Sequence, residues 1–193
     1  YALPFKAAYN LMFLLHFMAG SVFCWLFARR RGMSREAAML TTLVFVFGSA
    51  SAGCFYNVVT LRTLVWFPLA LYLVEEFLEK RALRPLFLLA LVQSQSWLAG
   101  FPQCAAYHGG FVLLYYVFRS FEEWKRAGLA RLRHDAALLG ALLLSVLIAA
   151  PQLWATLELA SHSTRTLQDK GFALWGSVAP WSLATLFMHP WTG

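Results

Sequence analysis

The chain has 193 residues, of which 60% are hydrophobic and only 13% are charged. A soluble domain carries about 25% charged residues, so this composition excludes an ordinary soluble enzyme and indicates an integral membrane protein. The three cysteines, Cys24, Cys54 and Cys104, are odd in number and widely spaced. That spacing favours neither a disulfide framework nor a cysteine metal site.

Apolar segments in chain order predict about six membrane-spanning helices, since a helix needs about 20 apolar residues to cross a bilayer. The segments are residues 8–28, 36–53, 61–79, 85–100, 103–121 and 136–156. We therefore expect an all-α protein, with a polytopic transmembrane helical bundle over residues 1–160. The second and fourth segments are short for a perpendicular crossing and predict a recess at the membrane surface.

The basic residues indicate the orientation of the bundle. Most of the 16 lysines and arginines follow the first, third and fifth segments, and only Lys6, Arg62, Arg165 and Lys170 fall on the other side. The positive-inside rule makes the crowded side cytoplasmic, so both ends of the chain face outward. The basic clusters are short turns with no recognition fold attached, which argues against nucleic-acid binding. The acidic residues Glu75, Glu76 and Glu79, with Lys80 and Arg81, are interpreted as a solvated helix end.

The last apolar segment ends in a polar stretch. Pro151 removes one helical hydrogen bond and presses on the carbonyl four residues earlier, that of Leu147, so the sequence predicts a bend there. Gln152, Glu158 and Arg165 follow. Two interpretations of Glu158 stay open: an interfacial carboxylate paired with Arg165, or a group that contacts a substrate at the outer surface and is the candidate catalytic carboxylate.

Two more polar residues are expected at the same end of the bundle. Arg62 begins the third segment, where it either reaches a lipid phosphate from a buried stem or grips the phosphate oxygens of a substrate in pairs. Gln103 follows the tight turn at residues 100–102 and is expected near Gln152. We therefore predict that Arg62, Gln103 and Gln152 lie around a recess that opens outward, where they are candidate substrate-binding residues.

Polar residues inside the apolar segments have a simpler interpretation. The run Gln-Ser-Gln-Ser at 93–96 is expected to bridge helices, because hydrocarbon offers amides and hydroxyls no other partners. His16 and His108 are expected to be satisfied core histidines. No His, Cys and Asp cluster has metal-ligand spacing, and no nucleophile triad or phosphate loop is present. The sequence therefore predicts no metal and no cofactor.

The tail at residues 161–193 is expected to lie outside the cytoplasm. Pro180 suits the first turn of a short helix, and Trp175, Trp181 and Trp191 suit the level of the lipid headgroups. The tail therefore predicts a short interfacial helix that lies on the membrane surface.

Several short motifs follow one another along the chain. They are Gly-Phe-Pro-Gln at 100–103, Ala-Ala-Pro-Gln-Leu at 149–153, Leu-Glu-Leu at 157–159, Ser-Thr-Arg at 163–165, and the run from Ser177 through Gly193. Together with Tyr9-Asn10 and the basic turn at 29–35, this series resembles the YfhO family of bacterial multi-spanning membrane proteins. That family is grouped with the GT-C glycosyltransferases, which take sugar from a polyprenyl-phosphate carrier at the outer membrane face.

The resemblance implies a bacterial inner-membrane protein with a polyprenyl-phosphate sugar donor and a glycan or cell-envelope acceptor. Arg62 or Arg165 would hold the carrier phosphate, and Gln103, Gln152 and Glu158 would orient sugar or acceptor hydroxyls. The resemblance also implies that a span and an outer loop with the catalytic acidic residue precede Tyr1, so this chain alone is expected to be inactive.

Two other classes of protein stay open. One is half of a transporter or flippase for a lipid-linked glycan, which predicts polar groups at mid-depth and an internal repeat. The polar run at 93–96 favours it, and the lack of a repeat in the sequence argues against it. The other is a membrane scaffold without catalytic activity, which needs no charged recess.

Overall fold

The computed structural model of the chain describes residues 4–48, 58–127 and 132–162. All regular structure in these ranges is helical, as predicted. The helices are α1 (Phe5–Arg30), α2 (Arg35–Phe47), α3 (Val58–Leu64), α4 (Phe67–Lys80), α5 (Leu83–Leu98), α6 (Pro102–Ala127), α7 (Leu132–Ile148) and α8 (Ala150–Ser161).

The helix ends follow from local sequence. Ser34 caps α2, because its hydroxyl oxygen accepts a hydrogen bond from the backbone N–H of Ala37 at 3.2 Å. Pro68 lies in the first turn of α4 and Pro102 begins α6, where a missing N–H has no helical acceptor to lose. Gly100 has a φ of 93°, which glycine adopts without strain and which lets the chain turn from α5 into α6.

Two stretches of the described residues are long and apolar enough to cross a membrane. They are Phe5–Arg30, which is α1, and Val58–Lys80, which joins α3 and α4. A third counts only if α7 and α8 form one broken span. Helices α2 and α5 have 13 and 16 residues, or about 20 and 24 Å of helix, less than the hydrocarbon thickness of about 30 Å. The structure therefore supports membrane spans but not the predicted number of about six.

The core of the bundle lies between α4, α5, α6 and α7. Phe77, Leu89, Val112 and Leu138 are fully buried in it, one from each helix. Helix α1 packs on α2 and α4, and a smaller apolar cluster joins Phe13 of α1 to α3. This packing makes α5 and α6 an antiparallel hairpin whose polar residues face each other inside the bundle.

The predicted bend at Pro151 is confirmed. The helix axis turns by 63° between residues 133–148 and residues 150–161, and Pro151 lies in the first turn after the break. The chain also divides into two compact units, Tyr1–Leu153 and Trp154–Gly193. The interfacial helix predicted within 161–193 lies outside the described residues.

Candidate functional site

Arg62 lies on α3 and is exposed. At 3.6 residues per turn, Arg62 is about 160° around the helix from both Thr60 and Leu64. Leu61 and Thr63 beside it are buried. The guanidinium therefore leaves the bundle on a face of α3 other than the one that Thr60 and Leu64 share.

Gln103 lies in the first turn of α6 and is also exposed. Its Nε2 donates a hydrogen bond to the Tyr107 hydroxyl oxygen at 2.8 Å, one helical turn away. This contact holds the amide along the helix surface at the turn end of the hairpin. The side-chain carbonyl oxygen of Gln103 takes no part in this hydrogen bond.

The remaining predicted residues belong to α8 and the tail. Gln152 and Glu158 are exposed on α8. The backbone carbonyl of Glu158 accepts a hydrogen bond from the Ser161 hydroxyl at 2.7 Å, and the Glu158 side chain lines a shallow surface cavity with Trp154 and Leu157. Arg165 lies outside the described residues. The gathering of the predicted residues around one recess therefore stays a prediction.

A buried polar interface joins α5 and α6 near their shared turn. We call it the hairpin seam, and it consists of Gln93, Ser96, Ala105 and His108. Gln93 Nε2 donates to the Ala105 carbonyl at 3.0 Å, and Ser96 Oγ lies 2.7 Å from His108 Nδ1. All four residues are buried. The prediction that the run 93–96 bridges helices is thus confirmed for Gln93 and Ser96.

The hairpin seam is close and incompletely paired. A Cβ atom at Gly109 would lie 3.2 Å from Gln93 Nε2, so a glycine lets the two helices approach here. Within the described part of the chain, Gln93 Oε1, His108 Nε2 and Trp97 Nε1 are buried without a hydrogen-bond partner. A buried unpaired polar group costs about 1–3 kcal/mol. Three such atoms on one helical hairpin mark it as a candidate functional region.

A cavity of about 330 Å³ lies beside the hairpin seam, between α6 and the stretch α3–α4. Its size is at the lower end of the range for ligand pockets, about 300–1,000 Å³. The ring of Phe67 packs edge-on against His108 and Phe111, with centroid distances of 5.3 and 6.4 Å. The lining residues are Thr60, Thr63, Leu64, Phe67, Cys104, Tyr107, His108 and Phe111. We call this space the His108 cavity, and none of its lining residues is an Asp, Glu, Lys or Arg.

The opposite end of the bundle carries a buried carboxylate that the sequence interpretation missed. Glu75 accepts hydrogen bonds from Arg119 Nε at 2.6 Å, from Arg119 Nη2 at 3.1 Å and from the Tyr115 hydroxyl, and Arg31 Nη1 lies 3.3 Å away. The prediction of a solvated helix end is therefore wrong for Glu75. The sequence did contain a signal of this burial. Glu75 is four residues after Leu71, which places both side chains on the buried face of α4.

The ends of α1 and α4 and the second half of α6 meet at this carboxylate. Arg30 adds a second link, with Nη2 2.5 Å from Glu79 Oε2 and its guanidinium 4.9 Å from the centre of the Tyr72 ring. Arg30, Arg31 and Arg119, which come from the ends of the first and fifth apolar segments, thus lie at the same end of the bundle as the end of α4. The α5–α6 turn lies at the other end of α5, since α5 begins next to the end of α4.

The described residues hold no group of three or more His, Cys, Asp or Glu side chains arranged to bind a metal ion. Cys24 and Cys104 are free thiols. No family model, no curated protein and no solved structure matches this chain. The resemblance to the YfhO family therefore rests on the sequence motifs alone.

Proposed function

We propose that the chain forms part of the membrane core of a glycosyltransferase. The enzyme takes a sugar from a polyprenyl-phosphate carrier and transfers it to a glycan or cell-envelope acceptor at the outer face of the membrane. The observation that carries this proposal is the α5–α6 hairpin. Its turn bears the Gly-Phe-Pro-Gln motif at residues 100–103, and Gln103 stays exposed there while Gln93 and Ser96 are buried between the helices.

The proposed architecture is a bundle of about six spans in a bacterial inner membrane. The basic residues of α1, α4 and α6 lie in the cytoplasm and the α5–α6 turn lies outside. Two observations support this arrangement. The links from Arg31 and Arg119 to Glu75 gather the basic ends at one side, and two stretches are long and apolar enough to cross a membrane. The short helices α2 and α5 then fit partial crossings beneath an outer recess.

The proposed residue roles follow the chemistry of the donor. A guanidinium binds phosphate oxygens in pairs, so Arg62 or Arg165 holds the carrier phosphate, and the exposure of Arg62 leaves its side chain accessible. Gln103, Gln152 and Glu158 orient sugar or acceptor hydroxyls.

A second function, transport of a lipid-linked glycan, is favoured by one observation. His108, Ser96 and Gln93 place buried polar groups inside the hairpin, and transporters bind their cargo among such groups at depth in the membrane. The two functions differ in their product. A transferase moves labelled sugar from the carrier to an acceptor, whereas a flippase moves the intact carrier across the bilayer.

The test of the transferase is turnover by the full-length parent protein in vesicles, with labelled sugar on a polyprenyl-phosphate donor. Loss of a hydrogen bond to a charged group is worth about 1.5–3 kcal/mol, so Glu158→Gln and Arg165→Gln should each lower the rate about ten- to a hundredfold. The matched controls are Arg35→Gln and Glu36→Gln, which change exposed charges in the first turn of α2. These controls should keep the wild-type rate.

Near wild-type turnover in both variants and in the double variant, with normal expression, would remove the proposed roles. Glu158 would then be an interfacial carboxylate paired with Arg165. Equal losses in the control variants would point to folding rather than to substrate binding.

A further inference from the structure

A shallow groove of about 210 Å³ lies between α5 and α7. We call it the α5–α7 groove, and it is lined by α5 residues between Leu83 and Phe87 and by α7 residues between Ala137 and Leu144. Leu83 and Phe87 are 74% and 56% exposed at its rim. The groove therefore opens on the surface of the bundle, and the side chains that line it are all apolar.

Gly140 leaves space in this groove that the packing of the described helices does not require. A glycine inside a helix is less favourable than an alanine. At Gly20, on α1, an added Cβ would lie 2.9 Å from the Val65 side chain, so close packing accounts for that glycine. At Gly140 an added Cβ would meet no atom within 4 Å. The missing side chain at Gly140 therefore leaves room for a molecule other than this chain.

Two arginines flank one end of the groove. Arg84 lies in the first turn of α5, three residues before Phe87, and Arg133 lies in the first turn of α7, four residues before Ala137. Residues three or four apart share a helix face, so both arginines lie on the side of the bundle that carries the groove. Both are exposed, and neither has a hydrogen bond or an ion pair with another described residue. Helices in contact lie about 8–10 Å apart, so the two guanidiniums can bind one anion together.

The other charged groups near these helix starts already have partners. Asp135, in the first turn of α7, accepts a hydrogen bond from the Tyr116 hydroxyl at 2.6 Å and is thus directed toward α6. Lys80, at the end of α4, pairs with Glu76 at 2.6 Å. The charge that remains at the end of the groove is therefore positive.

The two arginines lie at the ends of candidate membrane spans. The span Val58–Lys80 ends four residues before Arg84, and Arg133 begins the bent pair of helices that counts as a third span. Basic side chains at the ends of spanning helices reach the membrane interface, where the lipid phosphates are found. The α7 residues of the groove lie about 6–17 Å beyond Arg133 along the helix. A lipid chain in the groove would thus have its headgroup beside the two arginines.

We propose that the α5–α7 groove binds one acyl chain of an anionic phospholipid, whose phosphate accepts hydrogen bonds from Arg84 and Arg133. A guanidinium binds phosphate oxygens in pairs, and Gly140 leaves room for the chain. A polyprenyl-phosphate carrier also joins an apolar chain to a phosphate, but its proposed site is at the α5–α6 turn, whereas the groove lies at the start of α5. The lipid site is thus separate from the proposed sugar transfer and does not rest on it.

The test uses the chain in phosphatidylcholine vesicles with a trace of photoactivatable phospholipid that carries a diazirine on its acyl chain. Two probes with identical acyl chains are compared, an anionic phosphatidylglycerol and a zwitterionic phosphatidylcholine. Adducts on residues 137–144 are quantified by mass spectrometry. One basic residue near an anionic lipid contributes about a fivefold factor in binding. Two arginines should therefore favour the phosphatidylglycerol probe about ten- to thirtyfold on the wild-type chain.

Arg84→Gln and Arg133→Gln should each lower the phosphatidylglycerol adduct about three- to fivefold, because each removes one cation from the phosphate. Neither variant should change the phosphatidylcholine adduct. The matched control is Arg35→Gln, which removes an exposed charge in the first turn of α2, outside the groove. This control should leave both yields at the wild-type level.

Gly140→Leu fills the groove and should lower the adducts of both probes. The variant should fold, because an added Cβ meets open space there and leucine favours a helix more than glycine does. Gly110→Leu is its control, since it makes the same change on α6, also in open space and outside the groove. Gly110→Leu should change neither yield.

Equal yields of the two probes on the wild-type chain would overturn the proposal, and this comparison requires no variant that must fold. A loss in Arg35→Gln as large as that in Arg84→Gln would also overturn it, because it would show diffuse attraction to surface charge rather than a site. Yields unchanged by Gly140→Leu would contradict the binding of a chain in the groove. Displacement of the probe by polyprenyl phosphate, but not by the same amount of unlabelled phosphatidylglycerol, would identify the sugar carrier as the occupant instead of a phospholipid.

Discussion

Glu75→Gln should lower the free energy of unfolding by about 2–3 kcal/mol, because it removes the charge on which three helices converge. Breaking a buried ion pair costs about 3–5 kcal/mol. The Glu75 side chain is only 9% exposed, but those of Arg119 and Arg31 are 32% and 34% exposed. Water screens the two guanidiniums in part, so the loss should fall below the fully buried range. Denaturant unfolding in detergent micelles, followed by near-ultraviolet circular dichroism, measures it.

The matched control is Glu79→Gln, one turn further along α4. Glu79 also pairs with an arginine, Arg30, but its side chain is 70% exposed. Exposed ion pairs contribute about 0–1 kcal/mol, so this variant should unfold nearly as the wild type does. Equal losses in the two variants would show that the burial of Glu75 has no energetic consequence.

Phe77→Ala should cost about 3–5 kcal/mol, the range for removal of a buried aromatic side chain. Phe77 is 1% exposed and lies at the centre of the core, with its ring 6.3 Å from that of Tyr116 and 6.0 Å from that of His134. Alanine would leave a void between α4, α6 and α7, which must collapse or stay open at the expense of contacts. Denaturant unfolding in detergent micelles measures this loss of stability as well.

Phe87→Ala on α5 is the control for this loss of packing. Phe87 is 56% exposed on the surface of the bundle. Lipid chains can fill the space that its ring leaves, so the change should stay within about 0.5 kcal/mol. A Phe77→Ala variant as stable as Phe87→Ala would contradict the assigned core.

The all-helical fold and the bend at Pro151 could be predicted from the sequence because each depends on local chemistry. Apolar segments without charge dictate helices in a bilayer, and Pro151 breaks a helix wherever it lies inside one. The contacts of Gln93 and Ser96 with α6 could be predicted for a similar reason, since buried amides and hydroxyls need partners across helices. The prediction was wrong for Ser94, whose hydroxyl donates to the Leu91 carbonyl of its own helix, and Gln95 is exposed.

The ion pair of the buried Glu75 could not be predicted with the same rules. A carboxylate next to Glu76, Glu79 and Lys80 has the composition of a solvated helix end. Its burial depends on Arg119, 44 residues away, and on the rotation of α6 that aims that arginine at α4. The helical period indicates only that Glu75 shares a face of α4 with Leu71. The partner that stabilises the buried carboxylate is set by long-range packing, which no local pattern encodes.

In the candidate sites, too, the residue types could be predicted from the sequence, but their placement depends on packing. Residue types at Arg62 and Gln103 suggested phosphate and hydroxyl binding, but the face of α3 from which Arg62 projects is fixed by the burial of Leu61 and Thr63. The His108 cavity needs α3 and α6 to be neighbours, although about 40 residues separate them in the chain. His108 was predicted as a satisfied core histidine, and the structure pairs only one of its two ring nitrogens.

The orientation of the α5–α6 hairpin tests the central claim most directly, because the proposed transferase requires its turn to lie at the outer surface. The test uses a background in which Cys24, Cys54 and Cys104 are replaced by serine. A single cysteine is then introduced at an exposed position, either Phe101→Cys in the turn or Arg84→Cys at the start of α5. A membrane-impermeant maleimide added to intact cells should label Phe101→Cys and should reach Arg84→Cys only after permeabilisation. Labelling of Arg84→Cys but not Phe101→Cys in intact cells would place the turn in the cytoplasm and contradict the proposed function.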